Sequence, residues 1–322
     1  MTDKRPDDGT DSGRSPAEPP RRLSAHIEAQ RLESGLYLVA TPIGTARDIT
    51  LRALDVLNSA DMLAAEDTRV MRHLLDIHGV PLRGRRILSH HDHNADRSQP
   101  ILMAALRDGA SVAFASDAGT PLISDPGFRL AREAAEADIR IHAIPGPSAP
   151  LVALSVSGLP SDRFLFAGFP PATKGQRKTW LKKWAEVDAT VILFESPRRV
   201  NQTLRELCEI DPDRLTVVAR ELTKKFEEVI RGKAKELADD PRIAALKGEV
   251  VLLLDRATPV QADDDTIRTA LRARLALMTV KDAARDVAEE LGLPRRDVYQ
   301  IALTMGNDRK EKHDHVRTGP EA

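Results

Sequence analysis

Carboxylate side chains follow several short apolar runs of the sequence, at the point where each run ends. They are Glu66, Asp67, Asp117, Glu195 and Glu221. A carboxylate held beside a polar substrate can accept a proton from a hydroxyl group. We therefore take Asp117, Glu66 and Glu221 as candidate general bases for a reaction whose nucleophile is a hydroxyl oxygen. Caps of solvent-facing helices would place carboxylates at the same positions, and Asp67 precedes a helical pattern of this kind.

Basic side chains stand beside these carboxylates and in one dense run that also holds Trp180 and Trp184. Such cations pair with the phosphates of a nucleic acid, and tryptophan rings can stack on its bases. Because the formal net charge is −1, RNA contact must come from local patches of this kind. A network of surface ion pairs, and a helix whose tryptophans face a core, are the alternatives. The candidate RNA-binding residues are Arg69, Lys174, Arg177, Lys178, Arg199, Arg220 and Lys224.

Histidines stand together at His90-His91-Asp92-His93, which raises the possibility of a metal-dependent nucleotide hydrolase. Adjacent residues of an extended segment point to opposite sides, so they cannot all ligate one ion. The chain has one cysteine, Cys208, which excludes a cysteine cluster, and we expect that thiol to be buried and inert. We expect no metal, and we interpret the histidine loop as part of the lining of a substrate cleft.

Loops rich in glycine, proline and small polar residues follow three of the apolar runs. Thr41-Pro42-Ile43-Gly44 lets the backbone pass close to a ligand, and residues 118–125 offer amides, carbonyls and an apolar wall. Ser148 and Ala149 stand at a predicted helix start, where free N–H groups favour a carboxylate. Together these features suit an adenosyl amino acid, which needs an apolar slot, ribose contacts and an anion site. The chain has neither a P-loop sequence nor a GxGxxG fingerprint.

The elements that position these loops alternate between strand and helix, which is typical of an α/β fold with a largely parallel sheet. In such sheets, ligands bind beyond the carboxyl ends of the strands. Two later strands follow each other too closely for a helix, which favours a mixed sheet with a hairpin. We expect Asp125 to cap the helix that follows it. Predicted strands cover 36–40, 62–65, 112–115 and 139–144, then 164–167, 190–194, 215–219, 226–230 and 249–254.

The 322 residues, of which 41% are hydrophobic, are enough for two compact domains. No apolar run approaches the roughly 20 residues that span a bilayer, and we expect a cytoplasmic protein. The predicted order is a disordered tail (1–33), an N-terminal α/β domain (34–148), a C-terminal α/β domain (149–257), a linker (258–265), a small helical unit like a helix-turn-helix (266–306) and a second disordered tail (307–322).

A series of short motifs runs along the chain in a specific order. It consists of Thr-Pro-Ile-Gly (41–44), Ala-Glu-Asp-Thr-Arg (65–69), His-Asp-His-Asn (91–94), Ser-Asp-Ala-Gly-Thr-Pro (116–121), Asp-Pro-Gly (125–127), Pro-Gly-Pro-Ser-Ala (145–149), Gly-Leu-Pro-Ser-Asp-Arg-Phe (158–164), Glu-Ser-Pro-Arg-Arg (195–199), Ala-Arg-Glu-Leu-Thr-Lys (219–224) and Lys-Gly-Glu (247–249). With these motifs, residues 35–256 closely resemble the tetrapyrrole (corrin/porphyrin) methylase family, and within it the bacterial 16S ribosomal RNA (cytidine-2′-O)-methyltransferases.

The resemblance implies the two-domain fold of the class III methyltransferases, with S-adenosyl-L-methionine in the cleft between the domains, a small C-terminal helical unit and a homodimer. It implies 2′-O-methylation of a cytidine in the decoding region of 16S ribosomal RNA. The partner would be the small ribosomal subunit, with no metal and no membrane. The matching cofactor-binding residues are Pro42, Gly44, Thr120, Pro121, Leu122, Ile123, Ser124, Asp125, Ser148, Ala149, Phe194, Leu222, Thr223 and Gly248.

Two further functions remain open beside the hydrolase. The first is a tetrapyrrole or other small-molecule methylase of the same fold, against which the basic run 174–183 and the helical C-terminal unit speak. The second is an RNA-binding assembly protein without catalysis. The intact loops 116–121 and 145–149 speak against that second function, because an assembly factor would not need them.

Overall fold

The computed structural model describes residues 27–123, 127–257 and 264–305. The chain divides into two compact units. The first unit extends through Val152 and also includes the distant segment Leu222–Lys225. The second unit contains Ala153–Glu221 and everything from Phe226 onward. The predicted tails, the linker and the Ser124–Asp125 pair fall wholly or largely outside the described residues.

Five parallel strands form the sheet of the first unit, in the order β3-β2-β4-β1-β5. All five carboxyl ends therefore lie along one edge of the sheet, where open α/β sheets bind their ligands. The elements are β1 (Gly35–Val39), α1 (Leu51–Ser59), β2 (Met62–Ala65), α2 (Thr68–His78), β3 (Ile87–Ser89), α3 (Ala95–Arg107), β4 (Ser111–Ala115), α4 (Phe128–Glu136), β5 (Ile141–Ile144) and the helix α5 (Ala149–Ser157), which continues into the second unit.

Both faces of the central strands β1, β2 and β4 are buried, and for that reason these strands are almost wholly apolar instead of alternating with polar residues. Along β4, Ala113 and Ala115 face one hydrophobic cluster, whereas Val112 and Phe114 face another on the opposite side. The alternation follows from the two-residue period of a strand. Aromatic residues make up only 3% of the chain, so the cores consist mainly of Leu, Val, Ala and Ile.

Two details of this unit differ from the sequence predictions. The prediction omitted β3, because its three residues follow Arg85 and Arg86 and are too few to show a periodic pattern. The prediction that Asp125 caps α4 was wrong. That helix begins at Phe128, and its N-cap is Gly127 with a φ of 105°, a conformation that favours glycine.

The second unit contains a mixed sheet in the order β6-β7-β10-β8-β9. Strand β6 is parallel to β7, and the other neighbours are antiparallel, with the predicted hairpin between β8 and β9. Strand β9 starts two residues later than predicted, since the hairpin closes on the pair Arg220 and Glu228. The elements are β6 (Phe164–Phe166), α6 (Lys174–Ala185), β7 (Thr190–Glu195), α7 (Val200–Cys208), β8 (Leu215–Arg220), β9 (Glu228–Lys233), α8 (Ala234–Asp239), α9 (Pro241–Ala244) and β10 (Val250–Leu254).

A small helical unit with its own apolar cluster follows, as predicted. It comprises α10 (Asp264–Arg274), α11 (Val280–Leu291) and a last helix over 295–305. The hydroxyl of Thr279 caps α11 by accepting the Asp282 N–H at 3.2 Å, and Gly292 ends that helix with a φ of 63°. Within the described ranges, no helix is long and apolar enough to cross a membrane.

An ion pair enclosed in the protein joins α6 to α7. The Arg177 guanidinium donates from Nε and Nη2 to the two carboxylate oxygens of Glu206, at 2.9 and 2.6 Å, and both side chains are buried. Nη1 donates to the carbonyl of Ala172 at 3.0 Å. Arg177 is therefore inaccessible to RNA, which corrects its assignment as an RNA-binding residue. Trp180 and Trp184 are half-buried and pack against the core of the unit.

The buried pair gives a testable expectation for stability. Arg177→Ala or Glu206→Ala leaves one buried charge without its partner and should lower the free energy of unfolding by about 3–5 kcal/mol. The double variant Arg177→Met/Glu206→Leu removes both charges and fills the volume, so it should recover most of that loss. Urea denaturation followed by circular dichroism measures all three.

The matched control is Lys178→Ala, which breaks the neighbouring exposed pair between α6 and Glu209, the C-cap of α7. That variant should unfold close to wild type, because water screens an exposed pair. A double variant as unstable as either single variant would contradict this account of the pair.

Candidate active site at the carboxyl ends of the parallel strands

The loops that follow β1 and β4 are joined by a short antiparallel bridge. Thr41 and Gly119 exchange backbone hydrogen bonds, with N···O distances of 2.9 and 3.0 Å. The Thr41 hydroxyl donates to the carbonyl of Ser116 at 3.0 Å, and the Ser116 hydroxyl donates to the carbonyl of Gly119 at 2.7 Å. The first three bonds fix the Thr-Pro-Ile-Gly loop against the Ser-Asp-Ala-Gly-Thr-Pro loop, and the fourth lies within the second loop.

The loop that follows β5 is attached to the same assembly. The Thr120 hydroxyl donates to the carbonyl of Pro147 at 3.0 Å. Gly146 lies so close to Ala40 that a Cβ atom added there would be 2.8 Å from the Ala40 Cβ. Ser148 precedes the first turn of α5, whose N–H groups lack partners within the helix. All three predicted strand-end loops are thus brought together at one edge.

The segment Leu222–Lys225 belongs to this unit and contacts the end of the first loop. The Thr45 N–H donates to the Thr223 hydroxyl at 3.2 Å, and the Thr45 hydroxyl donates to the Thr223 carbonyl. A Cβ on Gly44 would lie 2.6 Å from the Thr223 hydroxyl oxygen and 2.5 Å from Cγ of Lys224. Glycine at 44 is therefore required by close packing. The sequence interpretation missed the role of Thr45, for which no motif gave a signal.

Left-handed backbone conformations occur on the candidate loops. Leu122 has a φ of 72°, Thr223 a φ of 63° and Glu221 a φ of 48°. Residues other than glycine rarely adopt such backbone angles, and a β-branched residue such as threonine does so at a cost in free energy. Strain of this kind is found preferentially at ligand sites, where the surrounding contacts enforce it.

Two of the three candidate bases meet at this edge. The backbone N–H of Asp67 donates to Oδ1 of Asp117 at 2.8 Å. Burial raises the pKa of Asp117 above its ordinary value. Burial also raises the pKa of Glu66, and the nearby charges of Asp117 and Asp92 add to that increase. A carboxylate with a raised pKa is a stronger base, which suits proton acceptance from a hydroxyl.

Arg69 is exposed and forms an ion pair with Asp67, its neighbour two positions earlier, at 2.6 Å. Hydrogen bonds from the Arg69 side chain and backbone lower the pKa of Asp67 to about 2. Asp67 also accepts the Arg69 N–H as the N-cap of α2. Asp67 is therefore a helix cap that is ionised at neutral pH.

The histidine loop supports the acidic group through a chain of hydrogen bonds. The Asn94 side chain accepts the His91 N–H at 2.8 Å and donates to the Ser89 carbonyl at 3.1 Å, and the Ser89 hydroxyl donates to the Glu66 carbonyl at 3.3 Å. His90 is buried against Ser98 at 2.8 Å, and that burial lowers its pKa. Within the described ranges, no three His, Cys, Asp or Glu side chains form a group that could hold a metal ion.

Glu221 and Gly248 lie in the second unit and contact each other. The Glu221 carboxylate accepts the Glu249 N–H at 3.0 Å, and a Cβ on Gly248 would overlap it at 2.3 Å. Glycine at 248 therefore makes room for the carboxylate. Since the backbone holds Glu221 in this way, its role as a base stays a prediction, and Glu66 and Asp117 are the better-placed candidates.

The other predicted residues have the following surroundings. Phe194 is half-buried between two other phenylalanines, and Leu222 is buried.

Arg199 and Arg220 form ion pairs with Glu195 and Glu228, at 2.6 and 2.9 Å. Ser124 and Asp125 lie outside the described residues. Pro42, Pro121 and Ile123 lie on the strand-end loops, Ala149 starts α5, and Lys174 starts α6. Cys208 is half-buried on α7, where burial raises its pKa.

Comparison with protein families gives two matches. Residues 35–238 match the family model "Tetrapyrrole (Corrin/Porphyrin) Methylases", and residues 261–306 match "RsmI C-terminal HTH domain". The ribosomal RNA small subunit methyltransferase I of Mesorhizobium japonicum is 48% identical over 281 residues, which cover 87% of this chain and 95% of that protein. The protein of the same name from Escherichia coli O157:H7 is 39% identical, with 87% and 99% covered.

Solved structures share the fold at low sequence identity. The methyltransferase CobJ superposes with a TM-score of 0.53 at 20% identity, covering 70% of this chain and 95% of that one. A cobalt precorrin-4 methyltransferase superposes with a TM-score of 0.52 at 19% identity, covering 68% and 94%. At such identities the likeness concerns the fold alone, and it confirms the predicted fold class.

The raised pKa of Asp117 gives a pH-dependent expectation. A raised pKa means that the folded state favours the protonated carboxyl, so ionised Asp117 destabilises the fold, and this effect fades as the pH falls toward 3.8. Asp117→Asn keeps an oxygen for the Asp67 N–H and removes the charge. It should be more stable than wild type near neutral pH, with a difference that disappears at low pH. Urea denaturation from about pH 4 to about pH 8 measures the difference.

Asp67→Asn is the control of opposite sign. Because folding lowers the pKa of Asp67 to about 2, its ionised carboxylate stabilises the folded state at any pH above the ordinary pKa of 3.8. That stabilisation is lost as the pH falls through about 2. This variant should be less stable than wild type at neutral pH. Equal pH profiles for the two variants would contradict the assigned environments.

Proposed function

This chain belongs to the tetrapyrrole methylase family, and within it to the ribosomal RNA small subunit methyltransferases I, and from that membership we propose its donor, its acceptor group and its site. The chain is an enzyme that methylates ribosomal RNA of the small subunit. We propose S-adenosyl-L-methionine as the methyl donor and the 2′-hydroxyl of a cytidine in the decoding region of 16S ribosomal RNA as the acceptor. The proposal rests on one observation: the chain is 48% identical to such a methyltransferase over 281 residues, which cover 87% of this chain and 95% of that protein.

The strand-end loops of the first unit have the chemistry that this donor needs. Gly44, Gly119 and Gly146 let the loops pack closely against Thr223, Ile43 and Ala40, where a Cβ atom would collide. This close packing brings the main-chain amides and carbonyls of the loops together at one edge. The first turn of α5, after Ser148, favours the carboxylate of the donor's amino-acid end. The residues that would hold the donor are therefore Pro42 and Gly44, Thr120 to Ile123, Ser148 and Ala149, and Leu222 and Thr223. Phe194, Gly248, Ser124 and Asp125 stay predictions.

When bound, S-adenosyl-L-methionine supplies an electrophilic methyl group, so the protein's main task is to position the acceptor. The ribose hydroxyl has to lose its proton during transfer. We assign that proton to Asp117 or Glu66, whose raised pKa values make them better acceptors than ordinary carboxylates. Oδ1 of Asp117 is already engaged by the Asp67 N–H, which leaves Oδ2 for the hydroxyl.

The alternative of a tetrapyrrole or other small-molecule substrate is not favoured. The relatives with high identity and near full coverage are ribosomal RNA methyltransferases, whereas the corrin-pathway enzymes resemble this chain at no more than about a fifth identity and share the fold alone. We further propose a homodimer in the cytoplasm, where ribosomal subunits are made. Light scattering of the purified protein would test the dimer.

The decisive experiment uses small ribosomal subunits that lack the modification. Incubation with methyl-labelled S-adenosyl-L-methionine and the protein should label 16S ribosomal RNA, and nuclease mapping should place the label on a cytidine ribose. Asp117→Asn and Glu66→Gln, tested in parallel, should separate the base from its neighbour. Label in a base, or in no RNA despite donor binding, would overturn the proposed acceptor.

The bridge between the first two loops can be tested with a matched pair of glycines. Gly119 and Gly109 have nearly equal φ values of 84° and 85°, but only Gly119 is crowded, by Ile43 at 3.2 Å. Alanine at either position should cost about 1–2 kcal/mol of stability from the backbone. Only Gly119→Ala should also weaken donor binding, by about tenfold or more, which corresponds to roughly 1.4 kcal/mol.

Isothermal titration with S-adenosyl-L-methionine measures this difference. Gly109→Ala controls for the backbone cost, since nothing lies within 4 Å of its added Cβ. Equal donor affinity in the two variants would remove the Thr41–Gly119 bridge from the proposed donor site.

A further inference from the structure

The loop that follows β6 in the second unit presents an aromatic ring to solvent. Phe169 is 56% exposed, and Phe128, Phe164 and Phe226 are exposed as well. A single exposed apolar side chain needs no explanation by itself. Phe169 differs from a scattered apolar side chain because other aromatic rings and a backbone hydrogen bond fix its position.

Several contacts hold the ring in place. Gly168, immediately before it, has a φ of 74°, and its carbonyl accepts the Phe194 N–H at 3.0 Å. The Phe169 ring lies 5.3 Å from the Phe194 ring, and Phe194 in turn meets Phe166 edge to face at 4.9 Å. Phe169 is thus the outermost of three contacting rings. It packs against Phe194, and the rest of its ring is accessible to solvent.

One cation borders the loop that carries this ring, and two more stand nearby in the chain, one beside that cation and one after the loop. The Arg199 guanidinium donates to the carbonyl of Pro170 at 3.4 Å, so it borders the loop that carries Phe169. Its side chain is 27% exposed, although it also pairs with the buried Glu195. Arg198, the preceding residue, is exposed, and among the described residues no ion pair joins it to a carboxylate. Lys174, at the start of α6 a few residues after Phe169, is exposed as well.

We propose that Phe169 is a stacking platform for an unpaired base of the RNA substrate, with Arg198 and Arg199 contacting the adjacent phosphates. Single-stranded RNA is bound in this way, by aromatic rings that stack on splayed bases beside cations that follow the backbone. The proposal rests on the proposed RNA substrate and adds a binding residue to it. A protein partner would instead need a wider apolar surface than one ring bordered by arginines.

The test compares Phe169→Ala, Phe169→Leu and Phe169→Trp in the subunit methylation assay. Loss of a stacking ring should lower kcat/KM for subunits by roughly 5- to 100-fold in the alanine and leucine variants, mostly through KM. Phe169→Trp, which keeps an aromatic face, should remain close to wild type. Donor affinity, measured by titration calorimetry, should be unchanged in all three. Phe164→Ala is the matched control, a similarly exposed phenylalanine at the other end of β6.

Three results would overturn the platform. The first is an unchanged KM in Phe169→Ala, and the second is a loss of donor affinity, which would assign the ring to the cofactor. The third is an equal loss in the tryptophan and alanine variants, which would indicate a role in loop packing only.

A direct binding measurement separates failure of the platform from failure of the proposed reaction. Fluorescence anisotropy of a labelled single-stranded RNA oligonucleotide compares wild type with Phe169→Ala without any methyl transfer. If wild type methylated no RNA but bound the oligonucleotide more tightly than Phe169→Ala, the proposed reaction would fail and the platform would stand. Equal binding by the two proteins would reject the platform.

Discussion

The pair of backbone hydrogen bonds between Thr41 and Gly119 is the contact on which the candidate site depends. A parallel sheet brings its carboxyl ends to one edge, but it leaves the loops beyond that edge unpaired. The bridge supplies the missing pairing between the loops after β1 and β4, and the Thr120 hydroxyl extends it to the loop after β5. The arrangement is formed by the main chain, so it places amides and carbonyls instead of side chains toward a ligand.

The same edge also explains the unusual carboxylates. Glu66 directly follows β2, and Asp117 is the second residue after β4. Both carboxyls are partly withdrawn from water, and the charge of Asp117 further raises the pKa of Glu66. Asp67, the residue after Glu66, is half-buried and paired with Arg69, and its pKa is lowered to about 2. Neighbouring carboxylates with opposite shifts are what is expected where one group holds a helix and another exchanges a proton.

The parts of this structure that could be predicted from the sequence are those with a local signal. Continuous apolar runs such as Val112–Ala115 indicated the buried parallel strands, and glycine and proline indicated the loops after them. Arg177 could not be assigned from the sequence, because the same spacing of cations describes a solvated face and a face that packs on α7. The contact of Thr45 with Thr223 joins residues far apart in the chain, and no short pattern records it.

The net charge of this protein gives it little attraction for RNA, so contacts of another kind must contribute to RNA binding. The net charge is −1, and of the cations first assigned to RNA, Arg177 is enclosed with Glu206, while Arg69, Arg199 and Lys178 are each paired with a carboxylate. A phosphate that binds such a cation competes with the carboxylate already there, so the net gain is small. Besides exposed cations such as Arg198, which no ion pair joins to a carboxylate among the described residues, binding can draw on contacts that do not depend on charge. Stacking on an aromatic ring is one such contact, since it is strong for any base and insensitive to the neighbouring carboxylates.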